Sequence, residues 1–399
     1  MTILIADKLE RSVVDALQTR GFNVVVAPTA TGDELVQTIA DVKPQILVVR
    51  STKVPAAAMA AGNIELIVRA GAGYDNIDVA EASARGTFVS NCPGKNAVAV
   101  AELTMGLIVA LDRKIADNVM DAREGRWNKA GYSKAEGLKG KTIGIIGLGS
   151  IGREVARRAQ AFGMRVVAWS RSLTPDDAAT LGFDFAETPV AVAEQSDIVT
   201  LHVAATPETA NLADRTLFTA MKDGAFFINT TRSSVVDEDA LMWAMRNKGI
   251  RVGLDVFSNE PSFKEGDFSH PLAAHAEVYL THHIGASTTQ AQVAIAEEAE
   301  RVIRQYAEKG VVSNCVNIAL RTPATHMITV RHIDKVGVLA AVLDECKAAE
   351  WNVQEMENRV FQGARAAVAK IRFHGVVEQS VVDRIAANED VLAVTLVDL

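Results

Sequence analysis

Cysteine is scarce. Cys92, Cys315 and Cys346 are the only three in 399 residues, far apart and with no CxxC pair. That argues against a disulfide framework and against a zinc site, and it suits a reducing, cytoplasmic setting. Basic charge is not in excess: 41 Lys and Arg stand against 49 Asp and Glu, for a net charge of −8. A broad electrostatic surface for nucleic acid is therefore not favoured. The opening residues MTILIADKLE lack the basic segment and long apolar run of a secretory leader. The longest apolar stretch, AVAVAELTMGLIVAL over 97–111, is broken by Glu102. It falls short of the roughly 20 residues that span a bilayer and reads as a buried helix. The chain also has no low-complexity tract and no repeat of fixed period. The expectation is a protein with no membrane span, no nucleic-acid partner and no metal.

What is present is the composition of an ordinary globular protein, 49% hydrophobic and 23% charged. The length allows two to four domains at about 150 residues each. Short β-branched runs alternate with helical patterns from the start: TILIAD, FNVVVA, QILVV, LIVRAG, TFVSN. This is the rhythm of βαβ units around a parallel sheet. After a long helix near 97–120 the rhythm restarts with KTIGIIGLGSIG, MRVVAWSR, DIVTLHV, AFFINTT, RVGLDVF and VYLTHHIG. Two doubly wound α/β modules, Rossmann-like or flavodoxin-like, are thus expected in tandem. A long amphipathic helix follows residue 283. Beyond about 325 the pattern changes to strand HMITVRH, helix 336–350, strands near 352–361 and 364–373, helix 377–388 and strand VLAVTLV. That βαββαβ order fits a small ferredoxin-like domain.

The strongest motif is GIIGLGSIGREVA, which follows an apolar strand and opens a helix. Gly147 allows the tight turn, Gly149 lets a pyrophosphate approach the backbone, and Gly152 lets helix and strand pack closely. With Leu148, Ser150 and Ile151 they form a candidate dinucleotide loop. About twenty residues on, such folds usually hold an Asp or Glu that grips the ribose hydroxyls of NAD. Here stand Ser170 and Arg171. The first removes the repulsion of a 2′-phosphate and the second offers it a guanidinium, so NADP is favoured over NAD, with use of both left open. A second glycine loop, RAGAGYDNID over 69–78, offers the amides of Gly71, Ala72 and Gly73 to a carboxylate, or simply makes a tight turn. Three later strands end at Arg232, at Asp255 and Glu260, and at His282 and His283. Ligands of open α/β sheets bind beyond such ends. Reducing a keto acid needs this set: a guanidinium to hold the carboxylate and polarise the carbonyl, an acid with a pKa near neutrality, and a carboxylate to orient it.

In order along the chain, VRSTKV, VRAGAGYDNID, NCPGKNAVAVAELT, GLGSIG, INTTR, GLDVFSNEP and HHIGAST resemble the D-2-hydroxyacid dehydrogenase family, and most its D-3-phosphoglycerate dehydrogenase branch with a C-terminal ACT domain. The resemblance covers nearly the whole length. It implies a substrate domain from 1–96 plus 283–320, a dinucleotide-binding domain over 97–282 and a regulatory ACT domain over 326–399. It makes Arg232, Glu260 and His283 the catalytic trio, with His282 standing where relatives commonly carry Pro. Thr230, Asp255 and Gly285 join the cofactor residues. Arg50, Ser51 and Asn91 join the amides of 71–73, Arg232 and His283 on the substrate side. Lys129 stands where relatives often carry Arg, and reads equally as a surface cation.

The implied reaction is oxidation of 3-phosphoglycerate to 3-phosphohydroxypyruvate, the first step of serine synthesis. A hydroxypyruvate or glyoxylate reductase, or a dehydrogenase of another D-2-hydroxy acid, is the rival within the same chemistry. A nucleotide-sensing protein without turnover is the rival from another class. In the tail, His332, Asp334 and Asn352 match positions that bind an amino-acid effector, serine being the first to consider. Val336 replaces the usual Pro there, and dimerisation alone is the other reading of the domain. A homodimer or homotetramer is expected.

Overall fold

The computed structural model describes residues 1–261, 266–319 and 321–399. Leu320, where the sequence reading ends the return segment, lies outside them. Five short apolar runs form the first sheet: β1 (Thr2–Ile5), β2 (Asn23–Val26), β3 (Ile46–Val49), β4 (Leu66–Arg69) and β5 (Phe88–Ser90). They pair in parallel in the order β2-β1-β3-β4-β5, which is flavodoxin-like. Alternate residues of one strand feed opposite cores. Ile3, Ile5, Ile46 and Val48 pack on one face, and Leu4, Leu47 and Val49 on the other.

The helix Ala97–Arg113 carries the chain to the second sheet and buries Ala101, Met105, Ile108 and Leu111 against it. The single helix expected near 97–120 is two. Lys114 takes a left-handed backbone, φ 49°, and a separate helix Ile115–Arg123 follows. The second sheet comprises β6 (Thr142–Ile146), β7 (Arg165–Trp169), β8 (Asp184–Phe185), β9 (Ile198–Leu201), β10 (Phe226–Asn229), β11 (Arg251–Leu254) and β12 (Val278–Leu280). Its order is β12-β11-β10-β9-β6-β7-β8, parallel throughout, the Rossmann order extended by one strand. The winding reverses between β6 and β9, and a ligand crevice is expected at the carboxyl ends there.

The helix Thr289–Lys309 starts at Thr288, whose hydroxyl accepts from the Ala291 N–H, and stops at Gly310, φ 67°. It returns to the first sheet: Ile295, Ala296, Ala299, Val302 and Ile303 pack with Ile3, Ile5, Ile46 and Val48. Cys315 then bridges to Ser90 at the end of β5.

Residues from Ile318 onward form a separate compact unit. Its strands β13 (His326–Ile333), β14 (Asn352–Val360), β15 (Ala366–His374) and β16 (Val391–Asp398) make an antiparallel sheet in the order β14-β15-β13-β16. The helices Val338–Ala348 and Gln379–Ala386 close one core with Ile328, Val330, Ile371 and Phe373. Among the described residues no helix is long and apolar enough to cross a membrane.

Candidate active site

The glycine loop leaves β6 at Gly147, whose φ of 101° is readily available only to glycine. A Cβ there would stand 2.5 Å from the His202 carbonyl oxygen. The Gly147 N–H donates to the Trp169 carbonyl at 2.8 Å and ties the turn to β7. Gly152 lies against the Gly147 carbonyl with no room for a side chain, so the helix Ser150–Ala161 begins directly over the strand end. Leu148 is buried beneath the turn, and Ile151 packs at its edge. Beside Gly149, by contrast, a Cβ would meet no atom within 4 Å. This is open space at a helix N-terminus, where unpaired amides point outward. The residues present fit a dinucleotide's phosphates.

At the end of β7 Ser170 is half-buried and Arg171 exposed. Glu208, held below the usual carboxylate range first by the Thr206 hydroxyl, is also lowered, more weakly, by Arg171. Thr230 is buried, its hydroxyl 3.2 Å from that of Thr104.

Arg232 is aimed by a buried amide. Asn229 Oδ1 accepts from the Thr231 N–H (3.0 Å) and hydroxyl (2.7 Å), and its Nδ2 donates to the Arg232 carbonyl at 2.9 Å. The guanidinium then spans to the first module. Its Nη2 donates to Asp75 Oδ1 at 3.0 Å, its Nε lies 3.3 Å from both Asp75 oxygens, and its Nη1 donates to the Thr231 carbonyl at 2.8 Å. The ion pair overcomes the opposing effect of burial and holds the Asp75 carboxyl below its ordinary value.

His283 meets Glu260: Nδ1 lies 2.7 Å from Glu260 Oε2, the carboxylate accepting, which leaves Nε2 for proton exchange. The other Glu260 oxygen accepts from the Phe257 N–H at 3.2 Å. His283 sits in the left-handed region, φ 51°. Such a position costs of order 1–3 kcal/mol and persists only when its surroundings over-determine it. Asp255 does so. Its carbonyl accepts from the His283 N–H, and its buried carboxylate takes the Ile284 and Gly285 N–H groups, each at 2.8 Å, with the Thr281 hydroxyl at 2.6 Å. His282 is exposed, with Phe268 as its aromatic neighbour.

On the first module the loop Gly71–Gly73 is packed under two arginines. The Arg69 guanidinium folds over Gly71, and that of Arg232 over Gly73, each so close that a Cβ would collide. Burial first, and then the charges of Arg232 and, more weakly, Arg50, push Arg69 down to about 10, and its buried Nε has no partner among the described residues. Asp7 at the end of β1 accepts from the N–H groups of Arg50 (2.6 Å), Ser51 (3.0 Å) and Thr52 (3.0 Å) and from the Ser51 hydroxyl. Asn91 turns its amide to the Ala72 carbonyl at 2.6 Å, so it shapes the loop. Behind it, Asn314 donates to the Asn91 carbonyl (3.2 Å) and to Glu298 (2.7 Å). Cys92, pushed up to about 11 by burial, is an inert thiol here. Lys129 is exposed in the short helix Lys129–Tyr132.

The sequence pattern of the D-isomer specific 2-hydroxyacid dehydrogenase, NAD binding domain, matches residues 105–285. The chain is 37% identical over 318 residues to D-3-phosphoglycerate dehydrogenase of Methanocaldococcus jannaschii, covering 78% of this chain and 59% of that one. It is 35% identical over 389 residues to D-3-phosphoglycerate dehydrogenase of Mycobacterium tuberculosis, covering 95% and 71%. The chain belongs to the D-2-hydroxyacid dehydrogenase family. It spans less than two thirds of the archaeal relatives it matches. Among solved structures it resembles NADPH-dependent glyoxylate/hydroxypyruvate reductase of Sinorhizobium meliloti in complex with NADP and malonate, at 29% identity and TM-score 0.68, over 80% of this chain and 99% of that one.

For a D-2-hydroxyacid dehydrogenase the site has members that motif reading missed: Asp75, Arg69, Asp7 and Glu298. Asp75 and Arg69 lie inside the quoted VRAGAGYDNID, yet only proximity across more than 150 positions reveals that Asp75 pairs with Arg232 and that Arg69 is repelled by it. Asp7 and Glu298 carry no local signal. In the C-terminal unit His332 is buried; Nδ1 lies 2.8 Å from the Ile333 carbonyl and Nε2 3.2 Å from Asn358 Oδ1. Asp334 and Asn352 are exposed. Among the described residues no group of acidic, His or Cys side chains could hold a metal.

Proposed function

We propose that the chain is a nicotinamide-dependent dehydrogenase of D-2-hydroxy acids acting on D-3-phosphoglycerate. The observation that carries this reading is the assembly on one side of Arg232, Glu260 and His283 at strand ends of the glycine-loop sheet, and of Arg50 and Arg69 on the facing module. Arg232 holds the substrate carboxylate and polarises the reacting oxygen. His283 Nε2 takes the hydroxyl proton in oxidation and returns it in reduction, while Glu260 fixes the imidazole through Nδ1. A nicotinamide dinucleotide, when bound, accepts or supplies the hydride. A second cationic pair, Arg50 and Arg69, suits a second anionic group, which favours a phosphorylated substrate over lactate-like acids. Intact acid–base machinery speaks against a sensing role without turnover.

Ser170 and Arg171 favour NADP over NAD. This observation, with the likeness to the Sinorhizobium enzyme, also supports a second reading as a hydroxypyruvate or glyoxylate reductase. Both are tested by coupled assays across phosphorylated and unphosphorylated 2-hydroxy and 2-keto acids with each cofactor. The expected result is highest kcat/KM with D-3-phosphoglycerate and with NADP, and about a ten- to hundredfold swing toward NAD in Ser170→Asp, the worth of one charge-assisted hydrogen bond. Highest efficiency with unphosphorylated hydroxypyruvate selects the second reading. A native preference for NAD above about tenfold, unmoved by Ser170→Asp, overturns the cofactor assignment.

The reading extends to the C-terminal unit as an ACT domain that binds an amino acid, serine first, through the exposed Asp334 and Asn352, with buried His332 anchoring the strand end. It also extends to a homodimer or homotetramer in the cytoplasm. Exposed Ile115, Val119 and Met120 of one helix and Trp127, the last 88% exposed, are apolar side chains that an assembly would cover. The mass in solution decides that point.

A further inference from the structure

We propose that Asp75 is an internal competitor of the substrate. Its carboxylate occupies Arg232 when the site is empty, is exchanged for the substrate carboxylate on binding, and returns to help expel the product. This rests on the reading of Arg232 as the substrate's carboxylate receptor.

A carboxylate docks on a guanidinium through two donors of one edge. On Arg232 the side-on edge of Nε and Nη2 faces Asp75 at 3.0–3.3 Å, and one Nη1 N–H donates to the Thr231 carbonyl at 2.8 Å. A substrate carboxylate that takes this edge, which is turned to the loop Gly71–Gly73, must displace Asp75. The Thr231 carbonyl belongs to the turn fixed by Asn229, with Thr231 buried and its N–H and hydroxyl both on Asn229 Oδ1. Asp75 is the partner free to leave, since its side chain is 64% exposed.

The backbone around it is pinned. Asn76 Nδ2 donates to the Thr52 carbonyl (2.7 Å), the Asn76 carbonyl accepts from the Val54 N–H (2.8 Å), and the Ile77 N–H donates to the Tyr74 carbonyl (3.1 Å). Release therefore needs a side-chain rotation alone. The exchange also keeps charge nearly constant. With Arg69 and Arg50 close by, the empty site sets three guanidinium groups against one another, and Asp75 is the anion among them. A substrate carboxylate replaces one anion with another. When the product leaves, Asp75 again supplies the anion, so no bare cation cluster is left behind.

Asp75 contacts Arg232 and no reacting atom in this scheme. It sets affinity, and the sign of its effect is diagnostic. A residue that merely props Arg232 in place weakens binding when removed, whereas a competitor strengthens it. The test uses Asp75→Asn and Asp75→Ser in the full chain, titrated calorimetrically with oxalate, which Arg232 can hold and which cannot be turned over. Oxalate is expected to bind both variants about two- to fivefold more tightly than the native chain, the range for an exposed ion pair. KM for the 2-keto acid should fall in parallel, with kcat unchanged or lower as release slows. Weaker or unchanged oxalate binding, or a raised KM, overturns the proposal, and so does a native chain that binds no oxalate. A native chain that turns over no 2-hydroxy acid, yet whose variants bind oxalate more tightly, overturns the enzymatic reading and leaves the competition standing.

Discussion

His283, the proposed acid and base, sits on a backbone that side chains seldom adopt, and its neighbour His282 provides the control. Only His283 is hydrogen-bonded to Glu260, at 2.7 Å, whereas His282 projects into solvent near Phe268. His283→Ala should lower kcat by roughly 10² to 10⁴ while cofactor affinity, read by fluorescence titration, stays within about twofold. His282→Ala should fall within about threefold of native turnover. An exchange of these phenotypes would reassign the acid. At this scale the strand-end positions of Arg232, Glu260 and His283 were legible, because each lies in a short motif after an apolar run. Their supports were less so. Asp255, expected beside the cofactor, spends its carboxylate on the Ile284 and Gly285 amides and the Thr281 hydroxyl, and Asn91 spends its amide on the Ala72 carbonyl. Nothing in a string of letters says which donor a buried carboxylate will find.

Elements were read well where periodicity was strong. The βαββαβ tail agrees with its expected boundaries to within about two residues. The helix expected near 97–120 was not, since a left-handed lysine has no compositional mark. The helix Thr289–Lys309 shows what pattern reading leaves out. Its Glu298 is buried, paired with Arg301 at 2.6 and 3.0 Å, and reaches Asn314, which supports Asn91 and so the loop Gly71–Gly73. The Arg301 hydrogen bonds first, with help from Asn314 against the cost of burial, hold its carboxyl at about 2. A carboxyl lowered on folding stabilises the native state above its ordinary value and loses that effect as pH falls through the folded one. The contribution should therefore be complete at neutral pH and vanish between about pH 4.5 and pH 2. Glu298→Ala should cost about 1–3 kcal/mol in denaturant unfolding at pH 7 and flatten the acid limb of the stability profile. An unaltered acid limb would remove Glu298 from this role.

For the whole molecule, the division at Asn317 and Ile318 separates the parallel sheets from the antiparallel unit. A chain ending at Asn317 keeps the four cores that position the site. It should melt cooperatively and retain turnover, while any rate response to serine present in the full chain should disappear. Loss of cooperative melting, followed by circular dichroism, would show that the two units fold as one.

The return of the helix Thr289–Lys309 to the first sheet also orders events in time. A ribosome releases the chain from its N-terminus, so β1 to β5 emerge before the helix that covers Ile3, Ile5, Ile46 and Val48. At about 5–20 residues per second that sheet face waits roughly 10–40 s for its cover, while the whole nucleotide module is made. The earlier of the two parallel sheets is thus completed only after the later one has been made. Apolar β-branched strands covered on that face only in part, by Val13 and Leu17 of the helix Arg11–Thr19, are the kind of surface that nascent chains offer to one another, and to chaperones.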